Sequence, residues 1–479
     1  MMLETILQDF ADLMKTRVLE ITAEFEKNFD FGALEIAITK ELAILGAALQ
    51  KALLTVLLEN AVFLSHLRVY AGKAGLRFKE YRRITVTLSN GRRIAINSPY
   101  FVKAKPHSRR KKRGPNGTGA HCGLNVLGFF CQVSPGLLSD ALQTALLCPS
   151  YEIARTVLIA RCITLDVKTL RRLCQSAGGL DNNLRGCLSL SGEEKLHGHT
   201  LVVSIDGGRL RLRNRKRGRK AKELKRHGYH TDWKEPKLFT LYLTDAEGNI
   251  VKEFKPLHDA TMGDHDAAYA LLESYLDNLE LEQLERIVFC GDGGSWIWNG
   301  AEKLCDRMGL DKNKIFQVLD YTHAKQNLRD IIDFVCPTQQ AVTTKKWKDL
   351  LWNGQMDALE ASIKALVTDK KKLTQALKKF TNYFAANGKR MLYAQFRAKG
   401  LPCGSGHVES AIRRVINLRL KAPGTFWLKE MAECFLFLRS QVISGRWKIF
   451  MENLISQVRR AFQAFTMAES VQLKNTEAA

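Results

Sequence analysis

No Cys-x-x-Cys pair occurs among the eleven cysteines, whose spacings are irregular and whose number is odd. That excludes a disulfide framework and the common zinc modules, and it predicts a reduced, cytosolic setting. Cys122 and Cys131, with His121 beside the first, match no metal-ligand spacing and read as ordinary thiols. No uninterrupted apolar run approaches the roughly 20 residues that span a bilayer, so no membrane partner is expected. The opening "MMLETILQDFADLMKTRVLEITAEF" carries early acids and no small-residue cleavage site, and does not read as a signal peptide. No internal repeat is evident.

Acidic residues are also scarce, 49 against 73 Lys and Arg, for a net charge of +24. The deficit is local. Residues 1–80 hold 9 basic and 11 acidic residues, whereas residues 81–120 hold 11 basic and none acidic. Residues 207–240 hold 13 basic against 3 acidic, so two short windows carry 21 of the 24 excess charges. A merely soluble surface intersperses its signs; clustering of one sign is the footprint of a polyanion site.

At 479 residues the chain exceeds the roughly 250–300 that one core supports. Residues 1–80 read as helical, with apolar residues at three- and four-residue spacing. The stretch "ELAILGAALQKALLTVLLENAVFLSHL" (41–67) is apolar nearly all round, hence either deeply buried or packed on another subunit. Residues 81–149 begin with two alternating runs around Asn90-Gly91, the signature of a hairpin with a type I′ turn. A basic loop follows, with Arg109, Arg110, Lys111, Lys112 and Arg113.

In 150–199, Ser150 and Asp166 are set to cap two successive helices. Ala154, Val157 and Leu158 would face inward on the first, and Val167, Leu170 and Leu173 on the second. Lys168, Arg171 and Arg172 would face outward on the second. Two readings stay open: a helix-turn-helix with a basic second helix, or two packed helices with exposed cations.

Residues 200–323 alternate strands and helices. "TLVVSID", "LFTLYLTD" and "IVKEFKPL" read as a three-strand meander, the last two joined through "AEGN". A helix, the strand "RIVFCGD", a second helix and the strand "KIFQVLD" complete a mixed, five-stranded sheet of α/β class. Residues 324–400 are helical and charged. Residues 401–479 open with "GLPCGSGHVESAIRRVINLRL", a glycine-rich turn entering a helix.

Three carboxylates stand out by position. Asp206 and Asp292 each end an apolar strand and are followed by two glycines; Glu409 lies near the start of the late helix. Strand-end carboxylates beside glycine are rigidly held and open to close approach. Carboxylates from separate elements suit hard divalent cations, two of which can drive in-line phosphoryl transfer. Each has a plainer reading as well: turn residues for the two aspartates, and an i,i+4 pair with Arg413 for Glu409.

The order Asp, Asp, Glu resembles the ribonuclease H-like core of DDE transposases and retroviral-type integrases. "GSGHVESAIRRVINLRLKAPGTFWLKEMAECFLFLRS" resembles the C-terminal motif of bacterial insertion-sequence transposases, most like the Kra type. The resemblance spans roughly 150–460. It implies that Asp206, Asp292 and Glu409 bind two Mg²⁺ ions, with Mn²⁺ able to substitute. It also implies that 324–400 is an all-helical insertion in the catalytic core. Asp320 and His323 of "LDYTH" match a D-x-x-H pair, with His323 beside the metals as a catalytic group.

The implied activity is cleavage and strand transfer at transposon ends by a homodimer or larger homo-oligomer bound to double-stranded DNA. The implied location is the bacterial cytoplasm, at the nucleoid. Two alternatives are a non-catalytic DNA-binding regulator and a structure-selective nuclease of the same superfamily.

DNA contacts are expected from the loop cations, from Lys168, Arg171 and Arg172, and from Arg209, Arg211, Arg213, Arg215, Lys216 and Arg217. Arg413 and Arg419 on the last helix complete the set. By strand alternation Arg209, Arg211 and Arg213 point away from Asp206. Either Gly207-Gly208 forms a bulge that resets the register, or the arginines grip DNA beyond the scissile position; the second is favoured. His407, His258, Asp259, Asp264 and His265 are given no role, the last four being placed in a loop. Trp296, Trp298 and Trp427 read as core anchors, with base stacking also open to Trp427.

Overall fold

The computed structural model describes residues 2–103, 119–180, 185, 196–216, 228–336 and 340–459. They fall into two units, Met1–Cys174 with Met451–Ala479 and Gln175–Phe450. The cations Arg109, Arg110, Lys111, Lys112, Arg113 and Arg217 lie outside the described residues.

The first unit opens with α1 (Met2–Asn28), α2 (Phe31–Leu58) and α3 (Ala61–Lys73). Side-chain caps separate them. Asp30 accepts from the Ala33 N–H at 3.1 Å, and Asn60 accepts from Val62 and Phe63 at 2.9 and 3.0 Å. β1 (Leu76–Thr87) and β2 (Arg93–Lys103) form the expected antiparallel hairpin, and β3 (Gly119–Ala120) pairs with β2. The turn differs from the type I′ expectation. Gly91 alone has positive φ (76°), and Leu88 O accepts from Gly91 N, which gives a three-residue loop. Asn90 is held elsewhere, its amide donating to Ala43 O of α2 at 2.9 Å.

Next come α4 (Cys122–Val126), α5 (Pro135–Leu147), α6 (Tyr151–Ala160) and α7 (Val167–Gly178). Ser150 and Asp166 cap as expected, accepting from Ile153 N and Thr169 N. Ala154, Leu158, Leu170 and Leu173 are buried, but Val157 faces solvent. Lys168, Arg171 and Arg172 are exposed on α7. Cys122 is a buried thiol whose pKa burial raises to about 11, the behaviour of a core residue.

α2 corrects two expectations. Although charges interrupt its apolar run, an 18-residue window has mean hydropathy 1.7, so by length and composition the helix is long enough to cross a membrane. Only 17% of that window is buried. Leu45, Ala47 and Leu58 are covered, while Ile36, Leu42 and Leu53 remain exposed, so the helix is not deeply buried.

The second unit is built on one mixed sheet. β4 (Thr200–Gly207) is central; β7 (Lys237–Thr244) and β8 (Leu257–Thr261) extend it antiparallel on one side. β9 (Arg286–Gly291) and β10 (Ile315–Leu319) extend it in parallel on the other. The spatial order is β10-β9-β4-β7-β8. A three-strand meander followed by two parallel strands is the ribonuclease H-like arrangement, as expected. Between β4 and β7 the chain makes a separate two-stranded ribbon, β5 (Leu210–Arg215) with β6 (Tyr229–Lys234).

One strand lies elsewhere than expected. The third strand is "LHDAT", not "IVKEFKPL"; residues 250–256 connect, held to β7 by a Thr244–Ile250 bridge and by the Val251 N–H donating to Leu243 O at 3.0 Å. His258 and Asp259 are therefore strand residues rather than loop residues.

α8 (His265–Leu276) and α9 (Ser295–Arg307) cover the sheet, and α10 (Tyr321–Val335) leaves β10. α11 (Gln340–Trp352), α12 (Met356–Leu366), α13 (Lys370–Phe380) and α14 (Tyr393–Ala398) follow. Trp347, Leu351, Leu359, Ile363, Phe380 and Tyr393 from this helical block share one buried cluster with Val203, Ile205 and Phe289 of the sheet. α15 (Gly406–Ala411) runs through a π-helical segment, Ile412–Asn417, into α16 (Leu418–Leu420). α17 (Lys429–Ile443) and α18 (Trp447–Arg459) end the described chain.

Candidate active site

The strand register places three carboxylates in a row. β4 and β9 pair from Thr200 with Arg286 to Ser204 with Cys290, so two residues further Asp206 stands beside Asp292. β9 and β10 pair up to Gly291 with Leu319, so one residue further Asp292 stands beside Asp320. The Asp320 N–H donates to Gly291 O at 2.8 Å, continuing that ladder. Parallel neighbours lie about 4.8 Å apart, and residues in register share a face. All three acids thus sit at the C-terminal ends of parallel strands, the rim where open sheets carry ligand groups.

Each acid is held locally. Asp206 accepts from the Gly207 N–H at 2.6 Å and Asp292 from the Gly294 N–H at 3.0 Å. The Tyr383 hydroxyl, on a π-helical turn after α13, donates to Asp292 O at 3.2 Å, so the helical block braces this loop. Asp320 caps α10, accepting from Thr322 N at 2.6 Å. It also accepts from Ser405 N at 3.1 Å and from the Ser405 hydroxyl. Ser405 in turn reaches Glu409 Oε1 at 3.5 Å. The serine therefore joins the end of β10 to the helix that carries Glu409.

His323 lies in the first turn of α10, its Nδ1 3.2 Å from Asp320 Oδ2. Asp320, His323 and Glu409 each offer a ligand atom within 4.8 Å of the others. Of the expected metal-binding acids, Glu409 is gathered most tightly with Asp320 and His323, while Asp206 and Asp292 stand beside them through the register row. Asp320, read from sequence only as half of the D-x-x-H pair, is the member shared by the row and the cluster with His323 and Glu409.

The electrostatics fit one shared site. Burial pushes the Asp206 carboxyl up to about 6, and the charge of Asp292 adds to that shift. Burial alone would raise Asp320 too, but hydrogen bonds from His323, Ser405 and the Thr322 N–H hold it at about 2. The hydrogen bond to Asp320 raises the His323 imidazole, and the charges of Asp320, Asp292 and Asp206 act the same way.

The helix of Glu409 is fixed from two sides. Gly208 lets it approach the strand end, since a Cβ there would meet Ile416 Cδ1 at 2.5 Å. Buried Arg439 of α17 donates from Nε to Val415 O at 2.6 Å and from Nη2 to Arg414 O. π-helical turns concentrate at functional sites, and here two of them flank the carboxylates.

The other expected contacts sort by exposure. Arg413 is exposed on the Glu409 helix. Arg419 is 3% exposed, its guanidinium carbon 5.2 Å from the Trp427 ring and 5.0 Å from Phe435, so burial takes it away from DNA. Trp427 and Trp298 are core residues, and Trp296 is partly buried under Lys237.

The arginine ladder does not continue β4. The chain leaves the sheet at Gly207-Gly208 and restarts as β5, so neither a bulge nor simple alternation describes it. Arg209 and Lys216 are exposed, Arg211 and Arg213 half-buried, and the Arg215 backbone pairs with Tyr229. Sequence reading missed Glu235, which abuts Gly207 and adds negative charge near Asp206. It also missed Tyr229 and Trp233; the alternation in "YHTDWK" is the signal that would have found the ribbon.

No known protein family and no curated protein matches the chain. Among solved structures it is similar to the Drosophila P element transposase strand transfer complex, at 14% identity and a TM-score of 0.27. That alignment covers 70% of this chain and 85% of the other, and at such a score it carries no weight for fold or function.

Proposed function

We propose that this protein is a DNA transposase of the insertion-sequence class that cuts and joins DNA strands with divalent metal ions. The observation that carries the reading is the register row of Asp206, Asp292 and Asp320, closed by Glu409 and His323. The donor set fits a hard cation: carboxylate oxygens dominate, with one imidazole nitrogen. Burial, with the charge of Asp292 adding to it, raises the Asp206 carboxyl, a cost that a bound cation would offset. Mg²⁺ is the expected ion, with Mn²⁺ able to replace it. Bound ions would polarise the phosphate and make water a better nucleophile.

The chain's own groups position and balance charge. Asp206, Asp292 and Glu409 would hold the ions, with Asp320 sharing in Glu409's end of the site. Asp320 accepts from His323 Nδ1 and so turns the other ring nitrogen, Nε2, to the substrate phosphate. In the first step a water oxygen bonds to phosphorus as the P–O3′ bond breaks, leaving a 3′-hydroxyl and a 5′-phosphate. In the second step that 3′-oxygen bonds to a target phosphorus and displaces a target 3′-oxygen. The attacking group loses a proton and the leaving oxygen gains one in each, so both steps balance without an external energy source.

Positive charge supports the binding roles. Residues 81–149 and 150–199, including the exposed Lys168, Arg171 and Arg172, are proposed to bind transposon ends. Residues 324–400 are proposed as the helical insertion. Two or more copies are proposed to assemble through α2, which keeps Ile36, Leu42 and Leu53 exposed. A reduced bacterial cytoplasm is the proposed location.

The experiment uses purified full-length protein, Mg²⁺ or Mn²⁺, and a labelled duplex from the ends of the DNA segment that carries the gene. Nicking followed by joining to a target plasmid is the expected result. Nicking without joining would indicate a nuclease, and salt-sensitive binding with neither would indicate a regulator.

A further inference from the structure

The ribbon that leaves the sheet directly after Asp206 has one covered face and one bare face. Arg211 pairs with Trp233, Arg213 with Thr231, and Arg215 with Tyr229. Directly opposed residues share a side, so Arg211, Arg213 and Trp233 lie on one face, which Tyr229 continues. On the other face Leu210 and Leu212 are buried.

The ribbon is firmly seated. Arg213 N donates to Trp427 O at 2.8 Å and Trp427 N donates to Arg211 O at 2.9 Å. Its bare face nevertheless exposes 47% of Trp233 and 45% of Tyr229.

Arginines pack on Trp233, and Tyr229 packs on Phe426. The guanidinium carbons of Arg209 and Arg211 each lie 5.4 Å from the Trp233 centroid. Arg211 also lies 4.7 Å from the Phe426 ring, and Tyr229 stands 5.7 Å from Phe426. Phosphates take cations and hydrogen-bond donors and leave a flat apolar ring uncovered. A base offers its flat face only when unpaired and unstacked; a duplex shows phosphates and base edges.

We propose that this face binds unpaired DNA beside the cleavage site, with Trp233 and Tyr229 stacking on bases and Arg209, Arg211 and Arg213 on their phosphates. The proposal rests on the strand-cutting reading for the identity of the nucleic acid as DNA. Arg211 lies four residues beyond Gly207, within about 14 Å of the strand end, and its partner Trp233 lies about 5 Å further across the ribbon. The sum, about 19 Å, is between five and six base steps of B-DNA at about 3.4 Å each. The unpaired bases would therefore lie within about six base steps of the scissile phosphate.

The test measures fluorescence anisotropy of two labelled probes in EDTA, where no cutting occurs. One probe is a blunt duplex; the other is the same duplex ending in a short unpaired thymidine tail. Wild type is expected to prefer the tailed probe. Trp233→Ala should weaken tailed binding by roughly 5- to 150-fold, the range for losing one base stack, with duplex binding nearly unchanged. Trp233→Phe should restore the preference, which a merely structural role would not do.

Equal loss on both probes, or no loss on either, overturns the proposal. Thermal melting of each variant separates misfolding from lost stacking. If the tail preference depends on Trp233 but no metal-dependent cutting is found, the ribbon inference stands and the transposase reading falls. Cutting and joining without any effect of Trp233→Ala gives the converse.

Discussion

His258 offers a stability test that does not depend on catalysis. The residue lies in β8, 4% exposed, with Nδ1 3.0 Å from Thr240 Oγ1 and Nε2 3.3 Å from Arg414 Nη2. A guanidinium only donates, so Nε2 accepts and Nδ1 carries the proton that goes to Thr240. A second proton on the ring would face Arg414, and burial opposes it first. Arg414, His407 and Arg446 add to the cost, and together they lower the pKa to about 3.

The unfolded chain should titrate near about 6.5. Between those values the unfolded state binds more protons, so stability is full above about pH 6.5 and falls as pH drops toward about 3, by about 1.4 kcal/mol per unit. From about pH 6.5 to about pH 5 the loss assigned to this one ring is about 1.5 kcal/mol. His258→Gln keeps one donor and one acceptor but does not titrate. Urea unfolding followed by tryptophan fluorescence reads the right unit, because all seven tryptophans lie between Trp233 and Trp447. Wild type should lose that much more stability than the variant over the interval. Equal losses would show that His258 is not held neutral and that the β8 pairing with Thr240 and Arg414 is wrong.

Other expectations concern buried charge and the metal site. Removing Arg185, which pairs with Asp259 at 3.3 Å and Glu433 at 2.8 Å, strands two acids. Arg185→Met should therefore cost about 3–5 kcal/mol in urea unfolding, partly recovered by adding Asp259→Asn. In metal-free buffer Asp206→Asn should raise stability by about 1–3 kcal/mol at neutral pH. The sign follows from the raised carboxyl: it holds its proton longer in the folded state, so its cost grows from about pH 4 to about pH 6 and persists above. Mg²⁺ should raise the melting temperature of wild type and not of this variant. Arg439→Met leaves the carbonyls of Val415 and Arg414 without their donor. It should destabilise by about 2–4 kcal/mol and depress cutting, checked by urea unfolding and by nicking rate together.

Periodicity made the sheet legible wherever strands are apolar throughout. β4, β7, β9 and β10 and the helices between them lie where the sequence places them: β4, β7 and β9 are buried along nearly their whole length, and edge strand β10 is buried at Val318 and Leu319. β8 was missed because "LHDAT" buries a histidine and an aspartate, whose partners Thr240, Arg414 and Arg185 are distant in sequence. The ribbon was missed because arginines every second position read as a ladder; only pairing with residues 229–234 shows it as a hairpin.

At the site, Asp206, Asp292 and Glu409 were visible as acids beside glycines. Asp320 joined them only through the β9–β10 register, which no local pattern encodes. Arg419 looked like a surface cation, yet aromatic rings from Trp427 and Phe435 enclose it.

The central claim is that the carboxylate row and Glu409 form one metal site for breaking phosphodiester bonds. Nicking of supercoiled plasmid with Mn²⁺ tests it most directly, because no knowledge of the end sequence is needed. Wild type should convert supercoiled to open circular plasmid, with the activity lost in Asp206→Ala, Asp292→Ala and Glu409→Gln and removed by EDTA. Equal nicking by the three variants, or nicking that survives EDTA, would contradict the account.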